Sequence, residues 1–185
     1  KKKDKDGNII PDRTPKQRKN NIKFTFARYM FAFIREGFGD LPVWKIAAAQ
    51  RGMTDDNLIH STNYKYLDEK GEILDMEGFQ VSLGPLALPI NLRATRNSTL
   101  VTITWDDSRD NPSAAPTDRM MVGIFYANYR DTFTLEKETG TTRRDGKCEI
   151  TLRNDDGEVC IHPFFARADN TAFSEDKAIT LPDTE

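Results

Sequence analysis

The first long segment of the chain carries apolar residues on most sides of a helix. With helical spacing of three and four residues, its apolar positions fall into two stripes. One stripe is Ile22, Phe26, Tyr29, Met30 and Phe33, and the other is Phe24, Ala27, Phe31, Ile34 and Phe38. A helix with this pattern needs to be buried on two sides. We therefore expect one side to pack in the core of the chain, and the other against the rest of the chain or a neighbouring protein.

Local signals mark both ends of this helix. The start signal has three parts: Thr14 as N-cap, Pro15 at the first helical position and Gln17 to close a capping box. Gly37 and Gly39 predict that the helix ends after Glu36. The segment 13–18 is thus explained as a helix start, without any need for a binding motif.

Two shorter helices and a turn are predicted before residue 79. Pro42 would start a helix through Val43–Arg51, and the cap signal at Thr54 leads into a helix over Asn57–Ser61. Glu69-Lys70-Gly71 is a turn signal, so residues 63–78 are predicted to form a linker or a small hairpin.

From Phe79 onward the apolar pattern changes to a period of two, which indicates β-strands. The predicted strands are Phe79–Leu83, Ile90–Arg96, Thr99–Asp106, Arg119–Ala127, Thr132–Glu136, Lys147–Leu152, Val159–Ala166 and Lys177–Leu181. Short alternating strands separated by turn signals are typical of a β-sandwich of the immunoglobulin or fibronectin type. The segment Met120–Tyr126 is apolar on both faces, so we expect a central strand whose outer face is also covered.

The predicted fold class is therefore α+β, with an N-terminal helical segment followed by an all-β immunoglobulin- or fibronectin-like sandwich. The predicted organisation is a flexible basic lead over residues 1–12, a helical unit over 13–62, the linker or hairpin over 63–78 and the sandwich over 79–182.

Charge is distributed unevenly along the chain. The net charge is -2, but residues 1–23 hold nine Lys/Arg against three Asp/Glu, which leaves an acidic remainder. A basic arm of this kind would suit nucleic acid, a membrane surface or an acidic neighbouring subunit. A solvated chain end is the favoured interpretation. Nucleic-acid binding is disfavoured, because the aromatic residues that follow are at core spacing.

Candidate catalytic groups are few. No nucleophile elbow, phosphate loop or zinc spacing is present. Cys160 and His162 are two positions apart on a predicted strand and so point to one face. Their apolar neighbours favour a role in the core. A hydrolase would require Cys160 or an acidic pair to lie in a cleft.

Metal, disulfide and membrane roles are likewise disfavoured. The acidic loop Asp106–Asn111 would offer oxygen ligands for calcium, yet Arg109 within it favours an ordinary exposed loop. Cys148 and Cys160 are predicted to be buried free thiols rather than a disulfide. No run of 18 apolar residues is present to span a membrane. We therefore predict no metal, no cofactor and no transmembrane segment.

The order of several short motifs resembles an uncharacterised bacterial family of proteins of similar length. These motifs are Arg13-Thr14-x-x-Gln17, Phe33-Ile34-Arg35, Val81-Ser82-x-Gly84-Pro85-Leu86, Ile103-Thr104-Trp105-Asp106-Asp107, Thr117-Asp118-Arg119 and Arg144-Asp145-Gly146. Members of that family have no assigned function, so the resemblance implies fold and class rather than activity. The helix start is also similar to arms of phage and prophage structural proteins.

The predicted function is non-enzymatic, as a structural or assembly subunit of a larger extracytoplasmic or virion complex. Its expected partners are protein subunits, either further copies of the chain or other proteins, with no small-molecule substrate. The residues predicted to bind the partner are Arg13, Gln17, Arg18, Phe24, Arg28, Phe31 and Arg35. Several exposed aromatic side chains would make a strong association surface.

The alternative is a cell-surface binding module for glycan or protein ligands. The loops Trp105–Asn111 and Ala168–Ser174 at one end of the sandwich would then carry the ligand, with Phe173 as the aromatic contact.

Overall fold

A computed structural model of the chain describes residues 3, 5–8, 12–106, 113–154 and 156–183. In the described part of the helical segment there are three α-helices: α1 (Pro15–Phe38), α2 (Val43–Ala49) and α3 (Asp55–Asn63). A short 3-10 helix, Tyr64–Tyr66, follows α3. None of the described helices is long and apolar enough to cross a membrane.

The start of α1 forms by local hydrogen bonds alone. Thr14 has an extended backbone, and its Oγ1 accepts a hydrogen bond of 3.2 Å from the Gln17 amide. The Gln17 Oε1 in turn accepts a bond of 2.9 Å from the Thr14 amide, which completes the predicted capping box. The helix continues to Phe38, past the predicted end at Glu36. Gly39, with φ of 59°, ends it.

Within the described residues, seven strands form two antiparallel sheets. The strands are β1 (Ile90–Asn97), β2 (Leu100–Asp106), β3 (Arg119–Tyr126), β4 (Tyr129–Glu136), β5 (Lys147–Thr151), β6 (Val159–Ala166) and β7 (Ile179–Leu181). The order is β1-β2-β5 in one sheet and β4-β3-β6-β7 in the other. The predicted α+β fold with a β-sandwich is confirmed.

Two apolar cores lie on opposite faces of the larger sheet. The inner core, between the two sheets, includes Val101 and Ile103 of β2 and Val122 and Ile124 of β3. The outer core joins β3, β4 and β6 to the helices, and its members include Phe31, Ile34, Phe38, Met121, Phe125, Phe133 and Phe164. This arrangement explains why Met120–Tyr126 is apolar at every position. Its alternate residues serve different cores.

The predicted strand Phe79–Leu83 is wrong. This segment, which we call the strap, has no strand pairing and lies on the outer side of the larger sheet. Phe79 and Val81 are buried in the outer core. The alternating pattern therefore indicated the buried side chains correctly, although the segment is not a strand. The amides of Val81 and Ser82 donate to the Asp176 carboxylate, at 2.9 and 2.8 Å, instead of to a neighbouring strand. A side chain therefore replaces the backbone partner that a strand would need.

Other boundaries differ by a few residues. The second helix ends at Ala49 instead of Arg51, and the third spans Asp55–Asn63 instead of Asn57–Ser61. A bridge between Leu67 and Ile73 shows that a small hairpin forms around the predicted turn.

Candidate functional site

An apolar stripe on α1 is exposed along the surface of the protein. Ile22, Phe26, Tyr29 and Phe33 expose 53%, 47%, 68% and 44% of their surface. Their spacing of four, three and four residues keeps them on one side of the helix. We call these four residues the exposed seam. Single exposed apolar residues are common, but four in a helical row form a surface suited to association.

A second stripe with the same spacing faces the body of the protein. Ala27, Phe31, Ile34 and Phe38 are all at most 2% exposed and belong to the outer core. At 100° per residue this stripe lies about 140° around the helix from the exposed seam. The body of the protein therefore covers one side of α1 and leaves the seam accessible.

None of the predicted partner-binding residues belongs to the exposed seam, and one of them lies in the buried stripe. Phe31, one of them, is buried in the outer core, where its ring lies 5.7 Å from the His60 ring and 6.4 Å from the Phe79 ring. It has no surface on which a partner could bind. The sequence analysis chose Phe31 as a partner-binding residue and left out Phe33, whereas the structure buries Phe31 and exposes Phe33.

The polar and basic residues at the start of α1 are exposed, and some of them make hydrogen bonds that cap the N-terminus of the helix. Gln17 completes the capping box, and the Arg18 Nε donates a bond of 3.0 Å to the carbonyl of Arg13. Beyond Thr14, the helix is exposed through Phe26 except at Lys23, which is partly covered. Lys23 donates to the Leu67 carbonyl at 2.6 Å and so ties α1 to the small hairpin.

A groove of about 890 Å³ runs between α1 and α3. Phe24, Arg28, Tyr29, Asp56 and His60 are among the residues that line it. The His60 ring lies between Phe24 and Tyr64, at ring distances of 4.8 and 4.6 Å. Burial, and then the charge of Arg28, lowers the pKa of His60 from its usual value, so the ring is neutral at pH 7. The groove is thus an aromatic cleft with Arg28 at its edge.

Arg35 closes one end of this groove through ion pairs. Its Nη1 lies 2.5 Å from Asp56 Oδ1 and 3.7 Å from Asp55 Oδ2, both in the first turn of α3. The ion pairs hold α3 against α1, and the two aspartates neutralise the charge of Arg35. Arg28 therefore offers a partner more of its charge than Arg35 does.

A buried polar chain lies on the outer face of the larger sheet. His162 Nδ1 is 2.6 Å from Asp176 Oδ2, and His162 Nε2 is 3.4 Å from the Cys160 Sγ. Asp176 Oδ1 accepts from Gln80 Nε2 at 2.6 Å as well as from the two strap amides. The predicted proximity of Cys160 and His162 is confirmed. Asp176 was missed because it lies 14 residues from His162, in a segment without strand periodicity.

The electrostatics of His162 follow from these contacts. Burial disfavours the charged ring, but the hydrogen bonds to Asp176 and Cys160 and the charge of Asp176 outweigh it. Together they raise the pKa of His162 to about 9. The ring is therefore protonated at neutral pH and forms an ion pair with Asp176.

The order thiol, imidazole and carboxylate matches the set that activates a cysteine nucleophile. Cys160 and His162 are both 0% exposed, beneath the strap, so no substrate reaches the thiol in this conformation. The chain of contacts also extends to α3, since Asn63 and Gln80 exchange two hydrogen bonds of 2.8 and 2.9 Å. Its evident effect is to fasten the strap and α3 to the sheet.

The remaining sequence predictions have simple outcomes. Cys148 and Cys160 are free and buried, as predicted. Among the described residues, no group of three or more His, Cys, Asp and Glu could hold a metal ion. The candidate calcium loop Asp106–Asn111 lies outside the described residues from position 107 onward. Asp106 itself accepts a bond of 2.6 Å from Asn91.

Phe173 does not provide the surface aromatic that a glycan-binding loop would need. It is 1% exposed and packs in the outer core, where its ring lies 6.5 Å from that of Phe164. Trp105, at the start of the other candidate loop, is 5% exposed.

In comparisons with known proteins, no family model matches the chain, and no curated protein sequence matches it significantly.

Proposed function

We propose that this protein is a non-enzymatic assembly subunit of a larger extracytoplasmic or virion complex, and that α1 supplies its contact with the neighbouring subunit. The observation that carries this proposal is the exposed seam of Ile22, Phe26, Tyr29 and Phe33. Fully burying one large apolar side chain is worth about 2 kcal/mol, and these four are about half exposed, so each has roughly 1 kcal/mol left to contribute to association.

The rest of the surface around the seam supports the same function. The buried side of α1 holds the helix rigidly on the sheet, so a partner binds without having to order it. Arg28 and the aromatic groove lie beside the seam and add charged and aromatic contacts, which are frequent at the centres of interfaces. The Arg13–Lys23 segment adds positive charge that attracts an acidic subunit.

The proposal is tested by photo-crosslinking in the organism that makes the protein. A benzophenone side chain in place of Phe26 is expected to give a covalent adduct with a second polypeptide. The same group in place of Lys45, which is exposed on α2, serves as the matched control and should give none. Substitution Tyr29→Lys elsewhere in the seam should abolish the Phe26 adduct.

Equal crosslinking at positions 26 and 45, or none at either, would contradict the assembly function. Cell fractionation then locates the complex, since an extracytoplasmic or virion subunit should be found with the envelope or particle fraction. Recovery of the adduct in the cytosol alone would contradict that part of the proposal.

A further inference from the structure

We propose that the neighbouring subunit is a second copy of this chain, bound through an antiparallel pairing of the two α1 helices. This inference rests on the proposed function and specifies its partner. It is carried by the spacing and charges along the exposed side of α1.

The four residues of the exposed seam have the same spacing whether α1 is followed from its N-terminus or from its C-terminus. Ile22 lies four residues before Phe26, and Phe33 lies four residues after Tyr29. In an antiparallel pair centred between Phe26 and Tyr29, each Ile22 therefore faces the Phe33 of the second copy, and each Phe26 faces its Tyr29. Spacings of three and four residues are those at which helices pack side chains into one another's surfaces.

Charged residues extend this symmetry at both ends. Lys19 is three residues before Ile22, and Glu36 is three residues after Phe33, so both continue the same helical face. In the antiparallel pair, Lys19 of each copy faces Glu36 of the other. A parallel pair would place Lys19 against Lys19 and Glu36 against Glu36. Opposite charges thus favour the antiparallel arrangement and like charges oppose the parallel one.

The helix dipoles favour the same orientation. The basic first turns of one α1 would lie beside the C-terminal end of the other, where the backbone carbonyls carry partial negative charge. Lys19 also contacts Glu69 of its own chain, but both side chains are more than half exposed, at 59% and 65%. Lys19 therefore remains accessible to a second partner.

The shape of the surface accommodates the second copy. An open groove of about 490 Å³ follows α1 past Arg18, Asn21, Ile22, Thr25 and Phe26. The Phe33 of the second copy, facing Ile22, would enter this groove. The small hairpin contacts α1 beside Phe26, through Gly71, yet leaves about half of the Phe26 side chain exposed. The outer core lies about 140° around α1 from the exposed seam, which leaves the seam side of the helix open to a second copy.

The first experiment measures the mass of the intact chain in solution. At about 100 µM, a concentration that populates complexes of micromolar affinity, sedimentation equilibrium should give twice the chain mass of 21.1 kDa. Tyr29→Lys puts a charge against Phe26 in both of the central Phe26–Tyr29 contacts and should weaken the dimer by about tenfold or more. Ile90→Lys changes a side chain on β1 that is 61% exposed, and serves as the matched control that leaves the mass unchanged.

A charge reversal tests the orientation. Lys19→Glu and Glu36→Lys should each weaken the dimer by about fivefold, because each places like charges together. The double variant restores opposite charges in the antiparallel pair and should recover the original affinity. A partner other than a second copy would not give this recovery.

Engineered cysteines give an independent measure of the same geometry. Ile22→Cys combined with Phe33→Cys should yield a disulfide-linked dimer on mild oxidation. The two positions lie about 16 Å apart within one helix, so they cannot bridge within a chain. Ile22→Cys alone should stay unlinked in the antiparallel pair and would link readily in a parallel one. Cys148 and Cys160 are buried and should not react.

A monomeric mass at this concentration, or failure of the double charge variant to recover, would overturn the self-pairing. If position 26 still crosslinked specifically to a different protein, the assembly function would stand with another partner. Absence of both self-association and crosslinking would remove both proposals.

Discussion

His162 lies between a carboxylate and a thiol, with no solvent contact. The Oδ2 atom of Asp176 holds the ring in its charged form. Its Oδ1 atom accepts hydrogen bonds from the two strap amides. A buried ion pair contributes little compared with a well-packed apolar pair, but removing one partner is costly, since the other charge is left unpaired. The stability of the strap is therefore linked to the charge of one histidine.

This linkage predicts a pH dependence. The pKa of His162 is raised from an ordinary value of 6.5 to about 9. The protonated pair therefore contributes its full stability below about pH 6.5 and loses it as the pH rises through 9. Urea unfolding at pH 6 and pH 9.5 should show a loss of about 3 kcal/mol in the wild type over this range.

Asp176→Asn should lower the free energy of unfolding by about 3 kcal/mol at pH 6. The difference from the wild type should shrink at pH 9.5, which is above the wild-type pKa of His162, because the ring is then mostly neutral. Asp131→Asn changes an exposed aspartate on β4 and is the matched control, with an expected effect below about 0.5 kcal/mol. A wild-type and Asp176→Asn difference that is the same at both pH values would contradict the assignment of the charge to His162.

On the scale of the secondary-structure elements, α1 presents two rows of apolar residues with the same spacing but different surroundings. Ala27, Phe31, Ile34 and Phe38 are buried on the sheet and under the strap, and the four residues of the exposed seam are not. Neither row differs from the other in residue size or hydrophobicity enough to decide which one faces inward. The position of α1 is set by the complementary surface of β3, β4 and β6.

The contrast between these rows gives a paired prediction. Phe31→Ala should lower the free energy of unfolding by about 3 to 4 kcal/mol, because it leaves a cavity in the outer core. Phe33→Ala should change it by less than about 1 kcal/mol, because its side chain is 44% exposed. Chemical unfolding monitored by circular dichroism at low protein concentration measures both. Similar losses for the two variants would mean that the exposed seam is covered within the monomer.

On the scale of the whole molecule, the helices and the sandwich share an apolar core. Phe38 of α1 stacks on Phe133 of β4 at 5.7 Å, and Phe79 of the strap contacts Phe125 of β3 at 5.2 Å. Removing the helices would expose the outer face of the larger sheet to water. We therefore expect neither part to be stable without the other.

Two tryptophans make this testable. Trp44 of α2 reports on the outer core and Trp105 of β2 on the inner core, and both are at most 5% exposed. In each single-tryptophan variant, Trp44→Phe and Trp105→Phe, the fluorescence and far-ultraviolet circular dichroism transitions in urea should coincide. Separate transitions would show that the helices unfold independently of the sandwich.

The sequence by itself determined what depends on neighbours along the chain. The capping box of Thr14 and Gln17 and the strands from Ile90 onward follow from local hydrogen bonding and from periods of 3.6 and two. The shared face of Cys160 and His162 follows from the same alternation. The two-faced pattern of β3 also showed that its outer side is covered.

Only the tertiary structure decided which partners distant residues find. The strap alternates like a strand, yet its amides bind the Asp176 carboxylate, a side chain almost a hundred residues away. The apolar pattern of the sequence does not mark Asp176, because a single carboxylate in a loop can accept hydrogen bonds from several amides without any repeat in its own segment. The buried and exposed rows of α1 are equally apolar in sequence. The outer face of the larger sheet determines which row is buried, because Phe31 and its neighbours pack against it in the outer core. The other row is left exposed.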